Sequence, residues 1–222
     1  MCFSATASFG ASAILFGIGL LSIKNSESSA QKYLASIPLM LSIQQILEGI
    51  LWLSISNPAY LDWVKPSTYG FLLFAQVIWP IFIPLTLMLL EKEAIRKKIL
   101  MIFLALGVLQ AIFMGYGLFF FPAESSISGS HIRYDMDFPA ANTWYGGVFY
   151  ILATGFSPFV SSIKRISLIG VIILFTYLFT RIFYGYYVIS IWCYFAALIS
   201  FAILFVSLKL KKEGVIKVSL TE

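Results

Sequence analysis

An all-α polytopic membrane protein is the fold this sequence predicts: a bundle of seven transmembrane helices with the N-terminus outside and the C-terminus cytoplasmic. Three observations carry that expectation. Of the 222 residues, 60% are hydrophobic and 11% charged, with a mean hydropathy of +0.92. A soluble domain carries about 25% charged residues, so the solvent for this much apolar surface has to be lipid. Next, seven apolar runs come close to or exceed the roughly 20 residues that cross a bilayer; they lie at 6–23, 33–56, 68–90, 98–121, 143–161, 166–184 and 187–208. Finally, the basic residues segregate. Taking alternate loops, one side holds Lys24, Lys32, Lys92, Arg96, Lys97, Lys98, Lys164, Arg165, Lys209, Lys211, Lys212 and Lys217, and the other only Lys65, Arg133 and Arg181. Cytoplasmic loops carry the excess of Lys and Arg, which sets the orientation and a multi-pass location in the cell membrane.

Taken in order, the first span is short and rich in Gly, Ala and Ser. It reads as a retained helix and not as a signal peptide, because no Lys or Arg precedes Lys24 and no lipoprotein cleavage box accompanies Cys2. The second span, YLASIPLMLSIQQILEGILWLSI, contains Glu48, the one ionisable group that cannot be kept out of the lipid. The third carries Pro80 and Pro84, and the fifth carries Pro158; each removes a backbone donor and should kink its helix. Gly115 and Gly117 in the fourth span, and Gly146 and Gly147 opening the fifth, allow close helix contact. Between these spans, 122–142 is the one long connection, an outer loop with the only histidine, His131; loops of this length are functional or merely solvated. No internal repeat is visible, so the chain reads as a single domain over 1–222.

The opening MCFSATASF resembles the start of an uncharacterised prokaryotic family of membrane proteins, a domain of unknown function whose members begin MCFSATAS. QQILEGILW at 44–52, HIRYD at 131–135 and SIWCYFAA at 190–197 are similar to further stretches of that family. The resemblance spans nearly the whole chain. It implies the membrane fold and brings no activity, cofactor or site residue with it.

Candidate site residues follow from cost. A carboxylate near the bilayer centre costs roughly 2.5–3.5 kcal/mol on the mildest insertion scale, so Glu48 needs partners. Gln45, Glu48 and Trp52 are spaced i, i+3, i+7 and Gln44 lies four before Glu48, which puts them on one helix face. At common depth, Gln76 and Trp79 of the third span, Tyr150 of the fifth, Arg181 of the sixth and Trp192 and Cys193 of the seventh join them in the outer half, while the inner halves read as Leu, Ile, Phe and Val. A contact between Glu48 and Arg181 would lower the cost of both charges. Cys2, His131 and Asp135 form an outer cap over this set. The plain alternative is that these side chains are interhelical hydrogen-bond glue.

Several chemistries are excluded. The pI of 9.1 does not imply nucleic acid, since the bases lie in short loops between spans. Two cysteines are too few for a disulfide framework or a four-thiolate zinc site. One histidine forbids the H-E-x-x-H zinc motif, and no metal site is assigned. No span contains the lysine that a retinal Schiff base needs. Two classes survive: a protein that binds, senses or transports a small molecule, lipid or ion through the outer-half pocket, and an intramembrane, hydrolase-like enzyme using Glu48 as general base. Apart from the bilayer, a small molecule or lipid is the partner expected; oligomeric state and cofactor are not encoded legibly.

Overall fold

The computed structural model describes residues 4–139, 144–163, 165–183, 195, 199–209 and 211. The expected site residues Cys2, Trp192 and Cys193 lie outside the described residues, as does most of the first half of the seventh expected span. The chain is mostly helical. It opens with α1 (Ala5–Lys24) and α2 (Ser29–Ser56). A third rod follows without a break, made of a 3-10 segment (Pro58–Trp63), α3 (Val64–Leu73), a π-turn (Phe74–Ile78) and α4 (Trp79–Leu90). Next come α5 (Ala94–Phe120), a hairpin of β1 (Ala123–Ser128) and β2 (His131–Met136), and α6 (Trp144–Ile151), a second π-turn (Leu152–Phe156) and α7 (Ser157–Val160). The described fold ends with α8 (Ile166–Phe183) and α9 (Ile199–Lys209). Among the described residues five helices are long and apolar enough to cross a membrane: Ala5–Lys24, Ser29–Ser56, Pro58–Leu90, Ala94–Phe120 and Ile166–Phe183.

Local chemistry explains the first elements. Ser4 caps α1 by accepting from the Ala7 N–H, and Ser28 caps α2 by accepting from Gln31 N–H, the usual service of a serine at a helix start. Ser4 of the opening motif thus has a structural role. The two helices then pack through small polar residues. Ser12 Oγ donates to the Ser42 carbonyl at 3.0 Å and Ser42 Oγ donates to the Ser12 carbonyl at 2.9 Å. Nearby, Gly49 lies against the Phe9 ring and Gly19 against Leu39, approaches that a Cβ would obstruct. Apolar side chains cover the outside of the bundle: Phe119 is 76% exposed, Phe120 73% and Ile182 74%, as expected where lipid is the solvent.

Both π-turns stand just before a proline. Pro80 cannot donate to the Gln76 carbonyl four residues earlier, nor Pro158 to that of Thr154, and the helix widens across Phe74–Ile78 and Leu152–Phe156. The kinks expected at Pro80 and Pro158 are taken up as π-turns. Pro84 and Pro38 sit inside regular helix. Gly107 of α5 lies between the two irregular rods, with Pro80 O and the Ala153 Cβ beside the position of its missing Cβ.

The third span begins earlier than expected, at Pro58 and not at 68. A larger difference concerns 122–142, expected as a long outer loop. It contains a two-stranded antiparallel hairpin pairing Ala123↔Met136 through Ser128↔His131. A two-residue connection with Gly129 at φ +62 closes it, the conformation for which glycine is favoured at the first turn position. At the opposite end of the bundle Glu91 follows α4 and is buried. Its carboxylate accepts from the Lys92 and Glu93 N–H groups, from Ser162 N–H at 2.7 Å and from Ser162 Oγ at 2.6 Å. Arg96 Nη1 donates to the Val160 carbonyl at 3.1 Å, so one polar staple ties the α4–α5 and α7–α8 connections together.

Candidate functional site

The face predicted on α2 exists. Gln44, Gln45 and Glu48 are each 1% exposed or less and Trp52 is buried. Gln45 Nε2 donates to Glu48 Oε2 at 3.1 Å, and Trp79 Nε1 donates to Gln44 Oε1 at 2.8 Å. The second bond joins α2 to the start of α4 and depends on the π-turn before it. One residue of helix corresponds to a rotation of about 100°, so the extra residue of a π-turn re-aims everything after it. Trp79 is thereby turned inward, whereas Gln76, inside the turn, is half-buried and makes no side-chain hydrogen bond among the described residues.

Tyr150 is half-buried and packs against the same core cluster as Trp79. Gln110 of α5 is buried between Gly107, which meets Pro80, and Gly115, which meets Val77. Arg181 stands exposed near the end of α8, and no Glu48–Arg181 ion pair occurs among the described residues. The reason is geometric: Arg181 belongs to the exposed side of α8, on which Leu178 and Ile182 also lie, while Thr176 and Thr180 take its buried side.

The hairpin is built onto this polar row. Its inward residues alternate with period two: Ala123, Ser125 and Ile127 on one strand pair with Met136, Tyr134 and Ile132 on the other. Ile132 is fully buried against Leu51 and Trp52. Tyr134 stacks on Phe71 with ring centroids 4.8 Å apart and planes 1° from parallel. Thr68 and Ser125 hydroxyls meet at 2.7 Å, Ala123 N–H donates to Tyr69 Oη at 3.2 Å, and Phe138 fills the space that Gly117 leaves. Trp52 therefore lies between the Glu48 row and a folded lid.

Of the expected cap residues, His131 ends the hairpin turn half-buried, and burial holds its imidazole below the ordinary 6.5. Asp135 faces outward and accepts from Arg133 at 2.8 Å, away from the polar row. Among the described residues no three potential metal ligands of the His, Cys, Asp and Glu types come together.

Among the described residues, four buried polar atoms near this row and on neighbouring helices have no hydrogen-bond partner: Gln45 Oε1, Trp52 Nε1, Ser8 Oγ and Gln110 Oε1. Leaving a buried polar group unsatisfied costs about 1–3 kcal/mol, and such groups are rare in native structures. Ser8 lies one turn beyond Ser12, on the Phe9 side where α1 meets Gly49, so it shares the depth of Gln45–Gly49. Its role is not visible in the sequence, where serines of the first span read only as small residues. Glu91 was equally hidden, because a glutamate directly after an apolar span reads as solvated.

Residues 1–217 match a family described as "Family of unknown function (DUF6629)". No curated protein and no solved structure shows significant similarity to the chain.

Proposed function

The chain belongs to the DUF6629 family of unknown function, and from that premise we propose that it is a seven-helix protein of the cell membrane with its N-terminus outside and its C-terminus cytoplasmic. In this reading the polar row on α2 lies in the outer half of the bundle and binds a small molecule, lipid or ion for sensing or transport. The observation that carries the reading is the fully buried Glu48 carboxylate, held by Gln45 in a row where Gln45 Oε1 and Trp52 Nε1 still have hydrogen-bonding capacity. Intramembrane ionisable groups are functional candidates by default. A row serving only as helix glue would use up its donors and acceptors on other helices.

The enzyme alternative, with Glu48 as general base, needs a nucleophile or activated water beside the carboxylate. The hydrogen bond described there comes from the amide of Gln45, which is neither.

Native mass spectrometry with metal analysis, on wild type and Glu48→Gln in mild detergent, tests the reading. A small molecule or ion retained by the wild type and lost from the folded variant supports it. Identical spectra with no retained species from either protein would reduce the row to helix glue.

A further inference from the structure

At the end of the bundle opposite the hairpin, one aromatic ring carries two cations. The Arg165 guanidinium lies 5.5 Å from the centroid of Phe205, and the Lys209 ammonium 5.8 Å from it. Among the described residues neither base has a carboxylate partner; the salt bridges there are Arg96–Glu93 and Arg133–Asp135. The acid that anchors this connection, Glu91, is occupied by Ser162, Lys92 and Glu93. Arg165 also has φ 77, the one non-glycine residue with positive φ among those described. Two like charges sharing one ring, on a backbone held in a disfavoured region, form an arrangement that an anion between them would stabilise.

The surroundings say which anion. Phe201, Phe205 and Leu208 follow i, i+4, i+7 on α9 and are all exposed, so they form an apolar strip along the helix that ends at the two cations. α9 runs antiparallel to α8 and is fastened to it by Ile166, Ile169 and Ile173 against Ile199 and Ile203. An apolar strip capped by two bases at a helix end matches a molecule with an acyl chain and an anionic head. A free phosphate would use the cations and leave the strip unused.

We propose that Arg165, Lys209 and the Phe201–Phe205–Leu208 strip bind an anionic phospholipid, with the headgroup phosphate between guanidinium and ammonium and an acyl chain along the strip. The proposal rests on the membrane reading above and is independent of any ligand at Glu48. Basic residues at a membrane surface favour anionic lipid by an amount equivalent to about fivefold per base.

The test is native mass spectrometry of the full chain in an uncharged detergent, titrated with phosphatidylglycerol and, separately, phosphatidylcholine. Wild type should prefer phosphatidylglycerol. Arg165→Gln and Lys209→Gln should each reduce that preference about fivefold, while Lys97→Gln with Lys98→Gln, bases of the same end but away from Phe205, should leave it intact. Arg165→Gly keeps the test valid if the glutamine variant misfolds, since glycine adopts a positive φ without strain; it should be at least as heat-stable as wild type without lipid, yet lose the same preference. An unchanged preference in folded Arg165→Gly overturns the site. So does an equal loss in the Lys97/Lys98 variant, which would show diffuse attraction. Displacement of phosphatidylglycerol by equimolar inorganic phosphate would also overturn it, by making the ligand a soluble anion. Carbonate extraction of membranes separates the premises: chain released to the supernatant sinks the membrane reading, whereas chain kept in the pellet without lipid preference sinks only this site.

Discussion

Two buried carboxylates show how one residue type serves different ends. Glu48 sits mid-helix with an amide neighbour. Glu91 sits at a helix end among backbone and serine donors. Burial raises the Glu91 carboxyl, but hydrogen bonds from the Ser162 side chain and from the N–H groups of Glu93, Ser162 and Lys92 together outweigh it and hold the group below the ordinary 4.5. A carboxyl lowered in the folded state contributes stability above its ordinary value, and that contribution is lost as pH falls through the lowered value. Glu91→Gln should therefore lower the stability of the detergent-solubilised protein by about 1–3 kcal/mol at neutral pH. Its stability should also change less than that of wild type on acidification. Glu93, whose ion pair with Arg96 is exposed on both sides, is the control; Glu93→Gln should cost about 0–1 kcal/mol. Thermal unfolding of the three proteins from neutral into acidic pH checks both statements, and equal effects from the two substitutions would refute the assignment of the staple to Glu91.

At the scale of elements, the hairpin should have a pH response of its own. His131 closes it opposite Ser128, with Arg133 and Asp135 paired further along the same face. Burial lowers its folded value below 6.5, so the unfolded strand takes up a proton more readily than the folded one. The hairpin should be fully protected above that ordinary value and should loosen as pH falls through the folded one. Hydrogen exchange at the Ile127 and Ile132 amides measures this, and His131→Gln should flatten the dependence; a wild-type profile without slope in this range would remove His131 as the cause. The hairpin also marks the limit of what the sequence reveals. Helical spans are legible because lipid imposes composition over twenty residues: α1 begins and ends within a residue of the expected 6–23, and α8 begins at the expected 166. A six-residue strand whose inward side is Ala123, Ser125 and Ile127 has too little hydrophobic contrast to stand out between apolar spans, although Gly129 within an alternating stretch is a turn signal. The π-turns are illegible for a different reason: reading a face from spacing assumes a constant helical period, which holds for Gln45, Glu48 and Trp52 on an uninterrupted helix and fails where Gln76 lies inside a π-turn and Trp79 follows it.

For the whole molecule, the unifying feature is the separation of its two ends. The hairpin, Trp52 and the Glu48 row belong to one; the Glu91 staple, the Arg165–Lys209 pair and the Lys211–Asn25 bond belong to the other. α1 alone has 20 residues, a length of about 30 Å that equals the hydrocarbon thickness of a typical bilayer, so the connection after Asn25 and the hairpin tip should open on opposite sides of a membrane. In the orientation proposed above, the excess of bases at the staple end puts that side in the cytoplasm. In a background with Cys2 and Cys193 replaced by serine, single cysteines at Ser130 and Ser26 should therefore behave oppositely toward a membrane-impermeant thiol reagent on intact cells. Ser130→Cys should label in intact cells, and Ser26→Cys only after the cells are opened. The reverse pattern would invert the orientation and place the Glu48 row in the cytoplasmic half. Labelling of both from outside would mean that the chain between them does not cross the membrane an odd number of times, and the seven-span arrangement would fall with it.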